Sequence, residues 1–193
     1  MFKNRWKKEI LTYPNLLSLL RLVMIPVYIR LYLRAASPGQ FLGAAALMGA
    51  SCLTDLLDGW IARRFHMVST LGKILDPLAD KLTQLSMVVC LSITYPVLKT
   101  ILALFTVKEL GQLALAVVHL TRGYMLPGAL MAGKVCTSVL FVSFIFLALS
   151  PEVPTGMVNA IVLTDGILLV FSFASYVFAY LGRHPLPRQM GGE

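Results

Sequence analysis

A chain of 193 residues that is 58% hydrophobic and only 13% charged, with a mean hydropathy of +0.78, is too apolar for a soluble core wrapped in polar surface. It reads as one all-α domain embedded in a bilayer. The net charge of +8 could suit nucleic acid, but the basic residues are scattered over connections and no base-reading motif is visible, so no nucleic-acid partner is expected.

The opening thirteen residues, Met-Phe-Lys-Asn-Arg-Trp-Lys-Lys-Glu-Ile-Leu-Thr-Tyr, mix basic and aromatic side chains. They predict an amphipathic helix lying in the membrane interface, with Trp6 at headgroup depth and the lysines over anionic lipid. No A-x-A-like site closes the apolar run that follows, so retention is expected rather than cleavage as a signal peptide. Apolar stretches then recur around residues 15–34, 40–60, 76–97, 99–120, 130–150 and 157–182. A span needs ~20 residues, so each can cross. The expectation is a single domain: an interfacial helix over 1–13, a bundle of six transmembrane helices over 14–182 and a cytoplasmic tail over 183–193. Breaks fall at Ser37-Pro38-Gly39, Tyr95-Pro96, Arg122-Gly123 with Pro127-Gly128, and Ser150-Pro151 with Pro154.

Basic residues orient the bundle. Lys3, Arg5, Lys7 and Lys8 precede the first span, Arg63, Arg64 and Lys73 lie between the second and third, Arg122 follows the fourth, and Arg183 and Arg188 follow the last. Arg34 and Lys99, with Arg30 nearby, stand on the other side. The positive-inside rule then puts both termini and the loop after the second span in the cytoplasm, in a bacterial-type cytoplasmic membrane.

Within this apolar chain, Asp55, Asp58, Gly59, Ala62, Arg63, Gly72, Asp76 and Asp80 form the pattern D-x-x-D-G-x-x-A-R, eight residues, G-x-x-x-D-x-x-x-D. Ionisable groups in a span cost roughly several kcal/mol each, so four carboxylates clustered there demand compensating charge, and bound metal is the simplest. Asp55 and Asp58 stand at i and i+3 of one helix, Asp76 and Asp80 at i and i+4 of the next, so each pair shares a face. The short link between them makes the helices antiparallel neighbours. Hard divalent cations such as Mg²⁺ take carboxylate and phosphate oxygens. Gly59 and Ala62 leave a wall without bulk where a nucleotide can approach, and the planar fork of Arg63 suits a diphosphate. The alternative is a polar helix contact in which these residues only pair with one another.

The same segment resembles, at every fixed position, the signature of the CDP-alcohol phosphatidyltransferase family. Pro14-Asn15-Leu16-Leu17-Ser18 with Arg21, and Gly133-Lys134, extend the resemblance more weakly, and the C-terminal third is similar only in hydropathy. The resemblance implies a six-helix membrane enzyme, commonly a homodimer, that moves a phosphatidyl group from CDP-diacylglycerol to an alcohol and releases CMP. It implies two Mg²⁺ or Mn²⁺ ions, one held by Asp55, Asp58 and Asp76, the second by Asp55, Asp76 and Asp80. Asp80 is similar to the family's proposed general base, and Asp58, Gly59, Ala62, Arg63 and Gly72 would bind the cytidine diphosphate. With no H-x-K-x-x-x-x-D pair present, direct transfer in a ternary complex is expected.

Glycerol 3-phosphate is the first expected acceptor, on its prevalence in the family, with phosphatidylglycerol, which gives cardiolipin, next. Members that use glycerol 3-phosphate carry Arg-Glu in the fourth span, a further Arg later in that span, and G-K-x-K-T. Here the corresponding residues are Lys108-Glu109, Ala116 and Gly133-Lys134-Val135-Cys136-Thr137, so two basic positions are apolar. Lys134, at the start of the fifth span, is the candidate for an acceptor phosphate.

Of the ionisable residues outside the signature, Arg21, Lys81, Lys108, Glu109 and Lys134 fall within or at the ends of spans, so each is a functional candidate by location. Lys81 points about a hundred degrees away from Asp80 and should snorkel. Asp165 should serve helix packing or face a loop, His66 should be a solvated loop residue, and His119 and His184 should be interfacial. Cys52, Cys90 and Cys136 lack metal-ligand spacing and read as buried packing residues. Two rival classes are a divalent-cation transporter, which has no need of D-G-x-x-A-R, and a membrane prenyltransferase, whose aspartate pairs usually lie far apart.

Overall fold

Proline and small polar residues punctuate the chain, and helices fill the intervals. A computed structural model describes residues 13–64, 72–121, 130–150 and 152–181, with side-chain surroundings for 16–51, 75–119, 121, 130–150 and 152–181. The described elements are all helical: α1 (Tyr13–Arg34), α2 (Pro38–Arg64), α3 (Gly72–Thr94), a single 3-10 turn (Pro96–Leu98), α4 (Lys99–Thr121), α5 (Met131–Leu149) and α6 (Thr155–Leu181). The expected interfacial helix over 1–12, the tail from 182 onward, and the loop with His66 lie outside the described residues.

Local chemistry fixes the boundaries. Ser37 caps α2: its carbonyl accepts from Gln40 N at 3.0 Å and Phe41 N at 3.2 Å, while Gln40 Oε1 accepts from Ala36 N at 2.6 Å. Pro38 occupies the first helical position, where a missing N–H costs nothing. Tyr95 N closes α3 on Leu91 O at 2.7 Å before Pro96, and Ser150 N closes α5 on Phe146 O at 3.1 Å before Pro151.

The chain forms two compact units, one from the residues up to Pro96 with Phe144–Val153, the other from Val97–Ser143 with the chain from Pro154 onward. In the first, α1 packs against both α2 and α3. Ser18, Arg21, Tyr28 and Tyr32 make its buried face, a helical spacing that runs from polar at one end to aromatic at the other. Tyr32 stacks edge-on with Phe41, ring centroids 5.2 Å apart, and its hydroxyl meets Thr94 Oγ1 at 2.6 Å. Tyr95 Oη donates to the Ser150 carbonyl at 2.8 Å.

In the second unit α4 and α6 run parallel, since Gly166 lies against Ile101 and Leu104 while Gly111 lies against Phe173. α5 runs opposite to α6, with Gly133 beside Tyr176 and Ser143 Oγ donating to Asp165 Oδ1 at 3.0 Å. Asp165 is buried and so plays the helix-packing role. Cys90 and Cys136 are buried as expected.

Among the described residues, four helical segments, Leu16–Arg34, Pro96–His119, Met131–Leu149 and Thr155–Leu181, are long and apolar enough to cross a membrane. Large apolar side chains face outward along them, such as Phe178 at 73% and Leu163 at 66% exposure, as lipid contact requires and water would not tolerate in such a density. Exposed hydroxyls are satisfied inside their own helices: Thr106 donates to Leu102 O at 2.8 Å, Thr164 to Ala160 O at 2.9 Å and Ser175 to Phe171 O at 2.8 Å. This is how a hydroxyl survives in hydrocarbon.

Two glycines separate packing from propensity. A Cβ on Gly111 would come within 2.7 Å of Phe173 Cε2 and Cζ, whereas one on Gly43 meets nothing within 4 Å. Gly111→Ala is expected to destabilise the detergent-solubilised protein by about 1–3 kcal/mol through overpacking. Gly43→Ala should be neutral or stabilising by up to ~1 kcal/mol through helix propensity. Thermal unfolding of the two variants side by side checks the contrast, which equal melting temperatures would refute.

Candidate active site

A buried arginine in an apolar span must find an anion, and the fold supplies it from α3. Arg21 Nη1 is paired with Asp80 Oδ1, and Ser18 Oγ donates to Asp76 Oδ1. Ser18 and Arg21 stand at i and i+3 of α1, while Asp76 and Asp80 stand at i and i+4 of α3, so one turn of each helix faces one turn of the other. The separations in sequence are 58 and 59 residues here and 62 at the Tyr32–Thr94 contact. That near-constant offset means α1 and α3 run parallel, joined by polar contacts toward both ends.

Burial is asymmetric across the ion pair. The Arg21 side chain is 3% exposed and that of Asp80 is 45% exposed. The cation is buried within the first unit, while the carboxylate is half-exposed. Lys81, the next residue, is half-buried.

Asp55, Asp58, Gly59, Ala62 and Arg63 lie on the C-terminal part of α2, and Gly72 opens α3; their side-chain surroundings fall outside the described residues. The backbone nevertheless sets their level. α2 turns back from α1 at the Tyr32–Phe41 contact, so its C-terminal part returns toward the beginning of α1, where Ser18 and Arg21 are. The signature residues of α2 and α3 are thereby brought to one end of the first unit.

Asp76 and Asp80 are the acidic pair of the signature described in atomic detail, and among the described residues no group of three or more His, Cys, Asp or Glu side chains comes together. The donor set still fits a hard divalent ion: two carboxylates one turn apart, each held by a buried donor from α1, offer oxygen and neither nitrogen nor sulfur. The hydrogen bonds from Ser18 and Arg21 reduce the freedom of the carboxylates, a role typical of groups behind metal ligands.

Of the residues in the second unit, Lys108 Nζ pairs with the neighbouring Glu109 Oε1 at 2.7 Å, with the lysine side chain 4% exposed and the glutamate 22%. Lys134 is exposed in the first turn of α5, whereas Cys136 is wholly buried. His119 is buried and meets Tyr180 edge-on at 4.5 Å between ring centroids. The pairing of Ser18 with Asp76 and of Arg21 with Asp80 was not foreseen from sequence; the available signal was Ser18 and Arg21, one turn apart on the same helix.

Comparison with known proteins bears on the family of the chain. A profile described as CDP-alcohol phosphatidyltransferase matches residues 11–178. A Streptomyces coelicolor protein named cardiolipin synthase (CMP-forming) is 38% identical over 148 residues, covering 74% of this chain and 67% of that protein. A Mycobacterium tuberculosis protein named probable phosphatidylglycerophosphate synthase is 31% identical over 174 residues, covering 89% and 82%. A Rickettsia typhi protein named CDP-diacylglycerol--glycerol-3-phosphate 3-phosphatidyltransferase is 45% identical over 69 residues, covering 36% and 38%.

The ion pair makes a direct prediction. Arg21→Ala should lower stability by about 1.5–3 kcal/mol, the range for a hydrogen bond to a charged group. Arg21→Lys should recover part of the loss, since it keeps the charge without the fork. Thermal unfolding in detergent measures both, and an Arg21→Ala protein as stable as wild type would show that the pair contributes nothing.

Proposed function

The chain belongs to the CDP-alcohol phosphatidyltransferase family, and from that premise we propose that it transfers the phosphatidyl group of CDP-diacylglycerol to glycerol 3-phosphate, releasing CMP. The observation that carries the reading is the alignment of Ser18 and Arg21 with Asp76 and Asp80, which holds the second half of the family signature in place at one end of the first unit. The bilayer fits as the enzyme's medium, since a diacylglycerol-linked substrate is delivered from the lipid phase.

The acceptor hydroxyl attacks the phosphorus on the lipid side of the diphosphate. The new O–P bond forms as the bond to the CMP oxygen breaks, so CMP leaves carrying the electron pair and the hydroxyl proton passes to Asp80. Arg21 orients Asp80 for that proton, and Arg63 binds the diphosphate through its fork. Gly59, Ala62 and Gly72 give the nucleotide a wall without side-chain bulk, with Asp58 at its edge. Two Mg²⁺ or Mn²⁺ ions held by Asp55, Asp58, Asp76 and Asp80 would neutralise charge on the transferring and leaving oxygens. Lys134 meets the acceptor phosphate.

The remaining expectations belong to the same proposal: six crossings with α2 and α3 as the second and third, a homodimer, and an active site and termini facing the cytoplasm. The shared end of α1, α2 and α3 that holds the signature is the end at which Arg63, Arg64 and Lys73 cluster, which supports the cytoplasmic assignment.

One observation favours a second acceptor. Cys136 stands where glycerol-3-phosphate-using members have a lysine, and it is wholly buried, so that position offers no charge to a phosphate. Ala116 is likewise apolar. Phosphatidylglycerol, with cardiolipin as product, is the second reading, in line with the name of the Streptomyces coelicolor relative.

Asp58→Asn should abolish CMP release and sharply weaken Mn²⁺ binding, because a neutral amide replaces a charged ligand in a low-dielectric site. Asp80→Asn should cut turnover as severely while retaining more CDP-diacylglycerol affinity. Equal loss of lipid-nucleotide binding in the two variants would make Asp80 chiefly a ligand and remove it as the base.

Acceptor identity is tested by CMP release from CDP-diacylglycerol with glycerol 3-phosphate, phosphatidylglycerol, serine or inositol phosphate offered separately. Release is expected only with a competent alcohol, and glycerol 3-phosphate should lead. Lys134→Ala should then raise its KM by roughly tenfold or more, the loss of one charge-assisted contact. A response to phosphatidylglycerol without one to glycerol 3-phosphate would replace the first reading by the second.

A further inference from the structure

Two aromatic rings on one face of α6 hold the ends of the connection between α4 and α5. Tyr176 Oη accepts a hydrogen bond from the Leu130 N–H at 3.3 Å. Its ring lies on Gly133 so closely that a Cβ there would sit 2.8 Å from Oη, 2.9 Å from Cε2 and 3.2 Å from Cζ. Four residues on, Tyr180 packs edge-on against His119 in the last turn of α4.

Leu130 immediately precedes α5, and its carbonyl accepts the helix's opening bond from Lys134 N at 3.1 Å. Backbone N–H groups at a helix start have no partner within the helix, and in hydrocarbon such a donor is costly to leave bare. Tyr176 satisfies one of them with a side chain from another helix. Gly133 lets the backbone of that first turn lie directly on the ring, so hydroxyl and ring together fix where α5 begins. Lys134 follows Gly133 and projects about a hundred degrees around the helix from it, exposed. The reach of its ammonium is therefore set by the placement of this turn.

We propose that Tyr176 is a positioning residue for acceptor recognition: through Leu130 and Gly133 it fixes the first turn of α5 and so places Lys134 for the acceptor phosphate. The inference rests on the reading of Lys134 given under the proposed function. A loose first turn would leave the chemistry at the signature untouched and spread the lysine over many positions, weakening its contact with the acceptor.

The test is Tyr176→Phe, which keeps the ring and removes the hydroxyl. KM for glycerol 3-phosphate should rise about fivefold while kcat and KM for CDP-diacylglycerol stay within about twofold. Added to Lys134→Ala, the same change should raise KM no further, because the two act through one contact. Amide hydrogen exchange over 130–134 should be faster in Tyr176→Phe, and Gly133→Ala, which drives the ring away, should reproduce both signatures. The proposal is overturned by a parallel rise in both KM values, by a rise that persists in full on Lys134→Ala, or by unchanged exchange. If wild type releases no CMP with glycerol 3-phosphate, the acceptor assignment has failed instead. The variant is then judged with the alcohol that wild type does use: faster exchange with a raised KM for it supports positioning, and unchanged exchange or an unchanged KM overturns it.

Discussion

The cost of a charge in hydrocarbon governs this structure. Arg21 is almost wholly buried in an apolar helix, where a cation without an anion would be costly. Asp80 answers it, Ser18 and Asp76 repeat the arrangement one turn away, and α1 is thereby committed to lie parallel to α3. The tyrosine end of α1 then falls into place, with Tyr28 and Tyr32 in the core and Tyr32 reaching Thr94. A pairing forced by solvation thus sets which helices meet and at what level, and it leaves two carboxylates aligned where the signature needs them.

The second unit solves the bilayer problem differently. Its helices approach through glycines, Gly111 under Phe173 and Gly133 under Tyr176, which allows close contact where lipid supplies no hydrophobic drive for association. Among its described buried polar groups, Lys108 pairs with its neighbour Glu109, and Asp165 with Ser143 across α5 and α6. Each joins partners within that unit, whereas Asp76 and Asp80 are held by donors from another helix and belong to the signature.

Much of this was legible in the sequence because it is encoded locally. The spacing of Asp55, Asp58, Asp76 and Asp80 carries the family, and Ser37-Pro38 and Tyr95-Pro96 mark helix ends through steric rules that act over a few residues. The partner of Arg21 was not legible, because it lies 59 residues away and nothing local in either helix states which face meets which. Tyr176 was hidden for a related reason: within an apolar run an aromatic residue reads as bulk, and its hydroxyl gains meaning only when another helix start lies beside it. Composition had treated all six apolar stretches alike, yet the described helices divide, with α1, α4, α5 and α6 apolar enough to cross and α3 interrupted by Asp76, Asp80 and Lys81.

Everything in the first unit follows from Ser18 and Arg21 of α1 facing Asp76 and Asp80 of α3. Oxidative cross-linking in native membranes measures it most directly, in a protein whose Cys52, Cys90 and Cys136 are replaced by alanine. A disulfide is expected between cysteines introduced by Ser18→Cys and Asp76→Cys, and none when the second cysteine is introduced by Leu78→Cys on the exposed face of α3. Efficient bridging to position 78 with none to position 76 would contradict it.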